Sequence, residues 1–181
     1  MLDIYSISLI FAPPICAGIG YLVKYYIDRS AKNQQFIIEK KLEEVEHKLD
    51  HFYFPIYINL IREELIWKKI ITAECNTAED SFRIELDKEI LQAHLANQTI
   101  IRENIIRVNP SLDLYNLFMA YEEHITIFSI LRNIYKNITN FDDYKFPYEY
   151  GSPYPNQLLY YITLELEKLK TEQSKLYESM V

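Results

Sequence analysis

IEKKLEEVEHKLDHFYFPI, residues 38–56, is the stretch that decides the fold. Its apolar residues recur four and three positions apart, a heptad spacing that predicts a long amphipathic helix. Glu, Lys and His occupy most positions between them, so one stripe of this helix is apolar and the rest faces water. Such a seam packs either within a helical bundle or against a second copy of itself. The seam consists of Ile38, Leu42, Val45, Leu49, Phe52 and Ile56.

Four more helices are predicted downstream of this seam. Pro55 predicts a kink or break near Phe54, because proline lacks a backbone donor and disfavours helical backbone in the residue before it. The later helices are expected over residues 56–73, 81–108, 112–138 and 157–179. Their apolar faces are expected to include Leu60, Leu65, Trp67, Ile90, Leu95, Ile101, Tyr121, Ile125, Phe128 and Ile134.

Turn-forming residues separate these helices. Thr77 or Asp80 is the expected start of the third helix, and Asn109-Pro110-Ser111 is a stop-and-restart signal before the fourth. Residues 139–156 contain three prolines, one glycine and four tyrosines, which excludes a regular helix. This composition predicts an irregular loop whose aromatic side chains pack on the rest of the protein.

IYSISLIFAPPICAGIGYLV, residues 4–23, contains no charged side chain. An α-helix of that length rises about 30 Å, the thickness of a bilayer's hydrocarbon core. Tyrosines stand at both ends, where aromatic rings favour the membrane interface, and the basic residues that follow predict a cytoplasmic location for the rest. These flanking residues are Tyr5, Tyr21, Tyr25, Tyr26, Lys24, Arg29 and Lys32. The sequence therefore predicts a membrane segment at residues 1–27 and a cytoplasmic helical bundle at residues 28–181.

Three other interpretations compete with a membrane segment. A lipoprotein signal would need a small residue before Cys16, but Ile15 stands there. A cleaved signal peptide needs a basic leading region, which Met1-Leu2-Asp3 does not supply. A buried core helix stays open, because Pro13 and Pro14 break the hydrogen-bond ladder at mid-segment. Within a membrane, such a helix break is tolerated where other helices or water satisfy the freed carbonyls.

Four small residues recur at four-residue spacing along the same segment: Ser8, Ala12, Cys16 and Gly20. Stripes of small side chains let membrane helices approach closely. The stripe therefore predicts membrane helix association, and hence a homo-oligomer.

The amino-acid composition favours a helical protein and argues against nucleic acid as a binding partner. The 181 residues include only three glycines, whereas a sheet protein needs many turn glycines. The net charge of −7 and the absence of a basic stripe argue against direct nucleic-acid binding. Cys16 and Cys75 form neither a disulfide framework nor a metal pattern, and no cofactor motif occurs. The predicted fold class is all-α: an N-terminal transmembrane helix followed by an antiparallel helical bundle.

Histidines offer a weak metal pattern. His47 and His51 share a helix face at the spacing that can bind zinc, but no third ligand is identifiable, so solvent-exposed histidines without a metal are expected. Glu122 and Glu123 diverge from His124 on a helix and predict no site.

Arg132, Asn133 and Asn137 form the one motif that could carry chemistry. They resemble the R-N-x-x-x-H signature of HEPN domains, helical bundles that often act as RNA endonucleases. Asn137 stands at the histidine position, and an amide cannot transfer a proton, so no catalytic residue and no nuclease activity are expected. Arg132 could instead steady a phosphate or an internal carboxylate.

Layout, size and this degenerate motif together resemble the small membrane-anchored HEPN-like accessory proteins of type VI-B, RNA-targeting CRISPR systems. The resemblance implies an oligomeric pore in the bacterial inner membrane that permeabilises or depolarises it and enhances antiphage defence. It also implies a functional link to an RNA-targeting CRISPR effector. Three alternatives remain: a membrane-tethered interaction or scaffold module, a HEPN-type ribonuclease, and a structural component of a large virus.

Overall fold

The computed structural model describes the backbone of residues 4–72 and 77–180 and the side chains of residues 20–71 and 80–180. Within these ranges the protein is all-α, as the heptad spacing and the scarcity of glycine predict, and contains no strand. The α-helices are α1 (Ile4–Lys48), α2 (Phe54–Thr72), α3 (Thr77–Val108), α4 (Leu112–Ile134) and α5 (Leu158–Glu178).

The predicted break near Phe54 is a single π-helical turn. Residues Leu49–Tyr53 form this turn between α1 and α2, and the Phe54 N–H donates to the Leu49 carbonyl five residues earlier. A π-turn inserts an extra residue into the helix. The chain thereby accommodates Pro55, which has no N–H to donate, without leaving helical backbone at Phe54.

Contacts divide the chain into two compact units. The first, called the terminal unit, comprises Met1–Glu44 and Ser174–Val181; the second, called the bundle unit, comprises Val45–Gln173. Helices α1 and α5 each contribute to both units.

Within the bundle unit, the heptad seam lies in the core. Val45, Leu49, Phe52 and Ile56 are all buried, and the Phe52 ring meets the Phe118 ring edge to face at 5.2 Å. Of the two roles open to the seam, this part of it packs inside the bundle.

A second part of the core joins α2, α3 and α4 to the loop after α4. Short 3₁₀ turns at Phe141–Asp143 and Pro147–Tyr150 order this loop. Phe141 and Tyr144 are buried against side chains of the three helices, so the tyrosine-rich segment is part of the packed structure. The cluster comprises Ile70, Ile90, Phe128, Phe141 and Tyr144.

Helix ends lie close to the predicted positions, with two corrections. Helix α3 begins at Thr77, the earlier of its two candidate starts and four residues before the predicted range 81–108. Asn109 adopts a left-handed backbone with φ 49°, and the Ser111 hydroxyl accepts from the Leu114 N–H, which ends α3 and starts α4. However, α4 ends at Ile134, four residues before the predicted end at residue 138, because the chain turns at Tyr135 to bring the loop onto the core.

The predicted apolar faces are partly wrong. Four residues are exposed although their spacing places them among core residues: Leu65, Trp67, Leu95 and Ile134. Polar side chains occupy inward positions in α2 and α3 instead: Glu63, Asp87, His94 and Asn97 are buried. Apolar residues outnumber the inward positions of these helices, so spacing alone could not decide which ones the core would take.

The described side chains at the start of the terminal unit are apolar and exposed. From Tyr21 to Ile27 all residues except Lys24 are apolar or aromatic, and each is about half exposed or more. None of the helices, within the residues described, is both long enough and apolar enough for a bilayer crossing. Most of the predicted membrane segment lies outside the described side chains, including Ser8, Ala12, Pro13, Pro14 and Cys16.

Replacing Phe52 by Ala tests the seam as a core element. The ring is fully buried, so we expect the free energy of unfolding to fall by about 3–5 kcal/mol through lost burial and a residual cavity. Phe82→Ala, on the exposed side of α3, is the matched control and should change stability by less than about 0.5 kcal/mol. Urea unfolding followed by circular dichroism measures both, and equal effects would contradict a buried seam.

Candidate functional site

A pocket of about 490 Å³ penetrates the bundle unit from its surface to buried polar side chains. Helices α2, α3 and α4, the loop after α4, and the start of α5 all line it. Its size lies within the range of small-molecule sites in proteins. The lining residues are Leu60, Glu63, Glu64, Trp67, Ile90, His94, His124, Phe128, Phe146, Pro147, Tyr148, Tyr154, Asn156 and Leu159.

Exposure separates the rim of this pocket from its floor. Glu64, Trp67, Tyr148 and Asn156 are exposed and form the rim. The floor consists of buried residues: Leu60, Glu63, Ile90, His94, His124 and Phe128. A ligand would therefore enter past aromatic and polar groups and end against a buried carboxylate and two imidazoles.

Glu63 is the centre of a hydrogen-bond network at the floor. Its Oε1 accepts from the Tyr121 hydroxyl at 2.9 Å and from His94 Nδ1 at 3.0 Å, while its Oε2 accepts from the Tyr121 hydroxyl at 3.0 Å. Since a carboxylate oxygen only accepts, this geometry assigns the proton to Nδ1 of His94. The Asn97 amide donates to the Tyr121 hydroxyl at 3.0 Å and to Glu63 Oε1 at 3.4 Å.

Helical spacing creates this network. Each of α2, α3 and α4 contributes residues three or four positions apart, which share one face. The pairs are Asn59 and Glu63 on α2, His94 and Asn97 on α3, and Tyr121 and His124 on α4. Burial, and next the charge of Glu63, raise the pKa of Tyr121 well above its ordinary value, so this hydroxyl keeps its proton and stays a donor.

His124 is a neutral imidazole at neutral pH. Burial lowers its pKa to about 4, although its hydrogen bond to the Ser152 carbonyl acts in the opposite direction. The bond joins Nδ1 to the carbonyl oxygen at 3.0 Å, so Nδ1 carries the proton and Nε2 is left as an acceptor. His94 and His124 lie edge to face, with ring centroids 5.5 Å apart.

Arg132 of the predicted motif is buried in a second polar centre. Its Nε and Nη2 donate to the two carboxylate oxygens of Asp87 at 2.5 and 2.9 Å, and its Nη1 donates to the Lys145 carbonyl at 2.8 Å. The guanidinium also lies over the rings of Phe128 and Tyr144, 4.3 Å from each centroid. Arg132 thus steadies an internal carboxylate, one of the two roles its sequence context allows.

Two opposing effects act on the pKa of the Asp87 carboxyl group. Burial raises its pKa, whereas the hydrogen bond and the charge of Arg132 act to lower it. A buried ion pair offsets the cost of removing its charges from water only when its hydrogen bonds are satisfied. Here Arg132 donates to both carboxylate oxygens of Asp87.

The motif residues do not assemble into one site. Arg132 is buried, but Asn133 and Asn137 are exposed on the last turn of α4 and the residues after it. His51 is exposed as expected, whereas His47 is half-buried, with its ring 5.0 Å from that of His51. No group of three metal-ligating side chains occurs among the described residues. Gly20 is the one member of the small-residue stripe with a described side-chain environment, and it is exposed.

Sequence reasoning missed the pocket. No sequence motif includes Glu63, His94 or Tyr154, and the sequence predicts no site at His124, because its acidic neighbours diverge from it on a helix. A usable signal existed in α3, where Asp87, His94 and Asn97 follow the same spacing as the buried Ile90 and Ile101. Polar residues on a core-facing stripe indicate a buried network.

Comparison with known proteins adds no relative: no family model, no curated protein and no solved structure matches this chain.

Replacing Arg132 by Ala should be strongly destabilising. The change leaves Asp87 buried without its partner, so we expect a loss of about 3–5 kcal/mol in the free energy of unfolding. Arg62→Ala is the control, because its ion pair with Glu89 is exposed and should contribute less than about 1 kcal/mol. Urea unfolding compares the two variants, and a loss below 1 kcal/mol at Arg132 would refute a structural role.

His124 should give the protein a specific sensitivity to acid. The pKa is lower in the folded state, about 4, than the ordinary 6.5, so the unfolded chain takes up the proton first and stability falls as pH drops from about 6.5 towards 4. Between pH 7.5 and 5 this difference corresponds to about 2 kcal/mol.

His124→Asn is the matched variant for this acid effect, because its amide can still donate to the Ser152 carbonyl. Urea unfolding at both pH values should show the variant losing about 2 kcal/mol less than the natural protein. Identical losses would exclude His124 as the source.

Proposed function

We propose that this chain is a membrane-anchored helical protein that oligomerises through its first helix into a pore and permeabilises or depolarises the bacterial inner membrane. The observation that carries the proposal is the exposed apolar surface from Tyr21 to Ile27, which continues the uncharged stretch of residues 4–23. Tyr21 is 71% exposed and Ile27 is 62% exposed. A helix that is apolar around most of its surface is buried either in a protein core or in lipid, and the described residues provide no protein cover for Tyr21 to Ile27.

The composition of α1 changes along its length in agreement with this placement. Residues 28–35, DRSAKNQQ, are polar apart from one alanine, and all are exposed. The seam that follows has one apolar stripe, whose residues from Val45 onwards pack inside the bundle unit. The helix thus consists of an apolar segment, a solvent-exposed polar segment and a segment that packs in the core. This is the arrangement expected where a membrane helix leads into a cytoplasmic domain.

Self-association is assigned to the small-residue stripe. The seam residues from Val45 onwards are occupied by the bundle unit, so they offer no free surface to a second copy. Gly20 has open space around the position where a Cβ would lie, which leaves room for another helix to approach. Several such helices must surround a lumen before ions can pass.

The state of Arg132 supports a function without nuclease activity. Its guanidinium donates to Asp87 and to the Lys145 carbonyl, so it is held away from an incoming phosphodiester. Asn137 cannot act as a general acid or base in place of histidine. By its resemblance to CRISPR accessory proteins, the pore would enhance antiphage defence alongside an RNA-targeting effector, without binding nucleic acid itself.

Gly20→Leu tests the pore through its assembly step. Because nothing lies within 4 Å of a Cβ at this position, the monomer tolerates the larger side chain, whereas close packing of several helices does not. We expect the natural protein to be oligomeric in detergent by light scattering and to release dye from liposomes. The variant should insert equally well but lose at least about 90% of the release rate, a tenfold effect.

Ala31→Leu is the control, since it adds the same side chain on α1 at an exposed position beyond the uncharged stretch. It should release dye as fast as the natural protein. A natural protein that stays soluble and monomeric without detergent would refute the anchor, and membrane insertion without any dye release would refute the pore.

A further inference from the structure

We infer that the pocket of the bundle unit binds a small organic cation, an ammonium group carried on an aromatic or other apolar body. This site is independent of the membrane segment, because all its lining residues lie within Val45–Gln173. Three properties of the pocket lead to this class of ligand: a buried carboxylate, hydrogen-bond acceptors, and aromatic walls.

The first property is the charge of Glu63. Its side chain is buried, with the residue 4% exposed, and lines the pocket. Among the described residues, His94 is the only titratable nitrogen in ion-pair distance, and neither Lys nor Arg pairs with Glu63. A buried carboxylate costs free energy unless it is compensated. A cation in the pocket would supply that compensation.

The second property is a floor with unused acceptors. Oε2 of Glu63 receives only the Tyr121 hydroxyl, whose single proton is shared with Oε1. His124 holds its proton on Nδ1 for the Ser152 carbonyl, so its Nε2 accepts. A ligand that satisfies these atoms must donate hydrogen bonds, as an ammonium group does.

The third property is the set of aromatic walls. Trp67 and Phe146 meet edge to face at 5.6 Å, and Phe146 and Tyr148 stack at 6.2 Å. Tyr154 lies against the two histidines on the other part of the lining. The guanidinium of Arg132 already lies 4.8 Å from the centroid of Phe146, so Trp67, Tyr148 and Tyr154 supply the aromatic faces for a ligand. Such faces attract cations and also bury apolar bodies, so they suit both parts of the ligand.

The lining also argues against anions. Neither Lys nor Arg lines the pocket, and Glu63 on the floor is a carboxylate without a Lys or Arg partner among the described residues, whereas Glu64 on the rim pairs with Lys68 at 2.6 Å. Phosphates and carboxylates are bound in proteins by Arg, Lys or clustered backbone N–H groups. Nucleotides and acidic metabolites are therefore poor candidates for this pocket.

Calorimetric titration of the full chain in detergent with three indole compounds tests the inference. Tryptamine carries an ammonium group, tryptophol replaces it by a hydroxyl, and indole-3-acetate replaces it by a carboxylate. We expect tryptamine to bind at least about ten times more tightly than tryptophol, and indole-3-acetate not to bind. Equal binding of tryptamine and tryptophol, or no binding of tryptamine at millimolar concentration, would overturn the inference.

Glu63→Gln assigns the effect to the carboxylate, because it removes the charge and keeps an acceptor for Tyr121. It should weaken tryptamine at least about tenfold and leave tryptophol unchanged. Glu85→Gln, an exposed carboxylate outside the pocket, should leave both affinities unchanged. Unaltered tryptamine binding in Glu63→Gln would refute the site.

Trp67→Leu, a variant at the rim of the pocket, keeps the inference testable if Glu63→Gln does not fold. Trp67 is partly exposed, so Trp67→Leu should fold normally. Loss of the aromatic face should weaken tryptamine by about threefold or more, and by a larger factor than tryptophol. Equal weakening of the two compounds would show that no cation is recognised there.

Discussion

The ion pair between Arg132 and Asp87 is the interaction on which the shape of the bundle unit depends. It links α4 to α3, and through the Lys145 carbonyl it also fixes the loop that follows α4. That loop supplies Phe146, Pro147, Tyr148 and Tyr154 to the pocket. Only two short 3₁₀ turns give this segment regular hydrogen bonds, so its course also depends on side chains of the helices, among which the buried guanidinium of Arg132 holds the Lys145 carbonyl.

The same helices bury a second set of polar groups around Glu63, and the two sets have different consequences. Asp87 has a fixed cationic partner that completes its hydrogen bonding, which makes it a structural group. Glu63 has neutral donors and one imidazole, and it lines a cavity. A buried carboxylate beside open space is free to interact with a ligand, whereas a carboxylate in a bidentate pair is not.

Sequence patterns predicted the helices better than the site. The heptad spacing from Val45 to Ile56 and the signals at Pro55 and Ser111 mark features that are local in the chain, and all of them appear in the structure. The pocket depends on residues 31 and 58 positions apart, such as His94 and Tyr121 against Glu63. Sequence patterns that extend over a few residues cannot predict contacts between residues this far apart in the chain. The early end of α4 at Ile134 has the same origin, since packing of the later loop decides where the helix stops.

The polarity of the exposed side chains changes along α1. Residues 21–27 expose apolar side chains apart from Lys24, residues 28–35 expose polar ones apart from Ala31, and Val45 and Leu49 place one apolar stripe in the core. A helix in a single environment would show one pattern throughout. The bundle unit covers Val45 and Leu49, and residues 28–35 suit water. The exposed apolar side chains of this helix are the surface on which the proposed membrane insertion and self-association depend. They are Tyr21, Leu22, Val23, Tyr25, Tyr26, Ile27, Phe36 and Ile37.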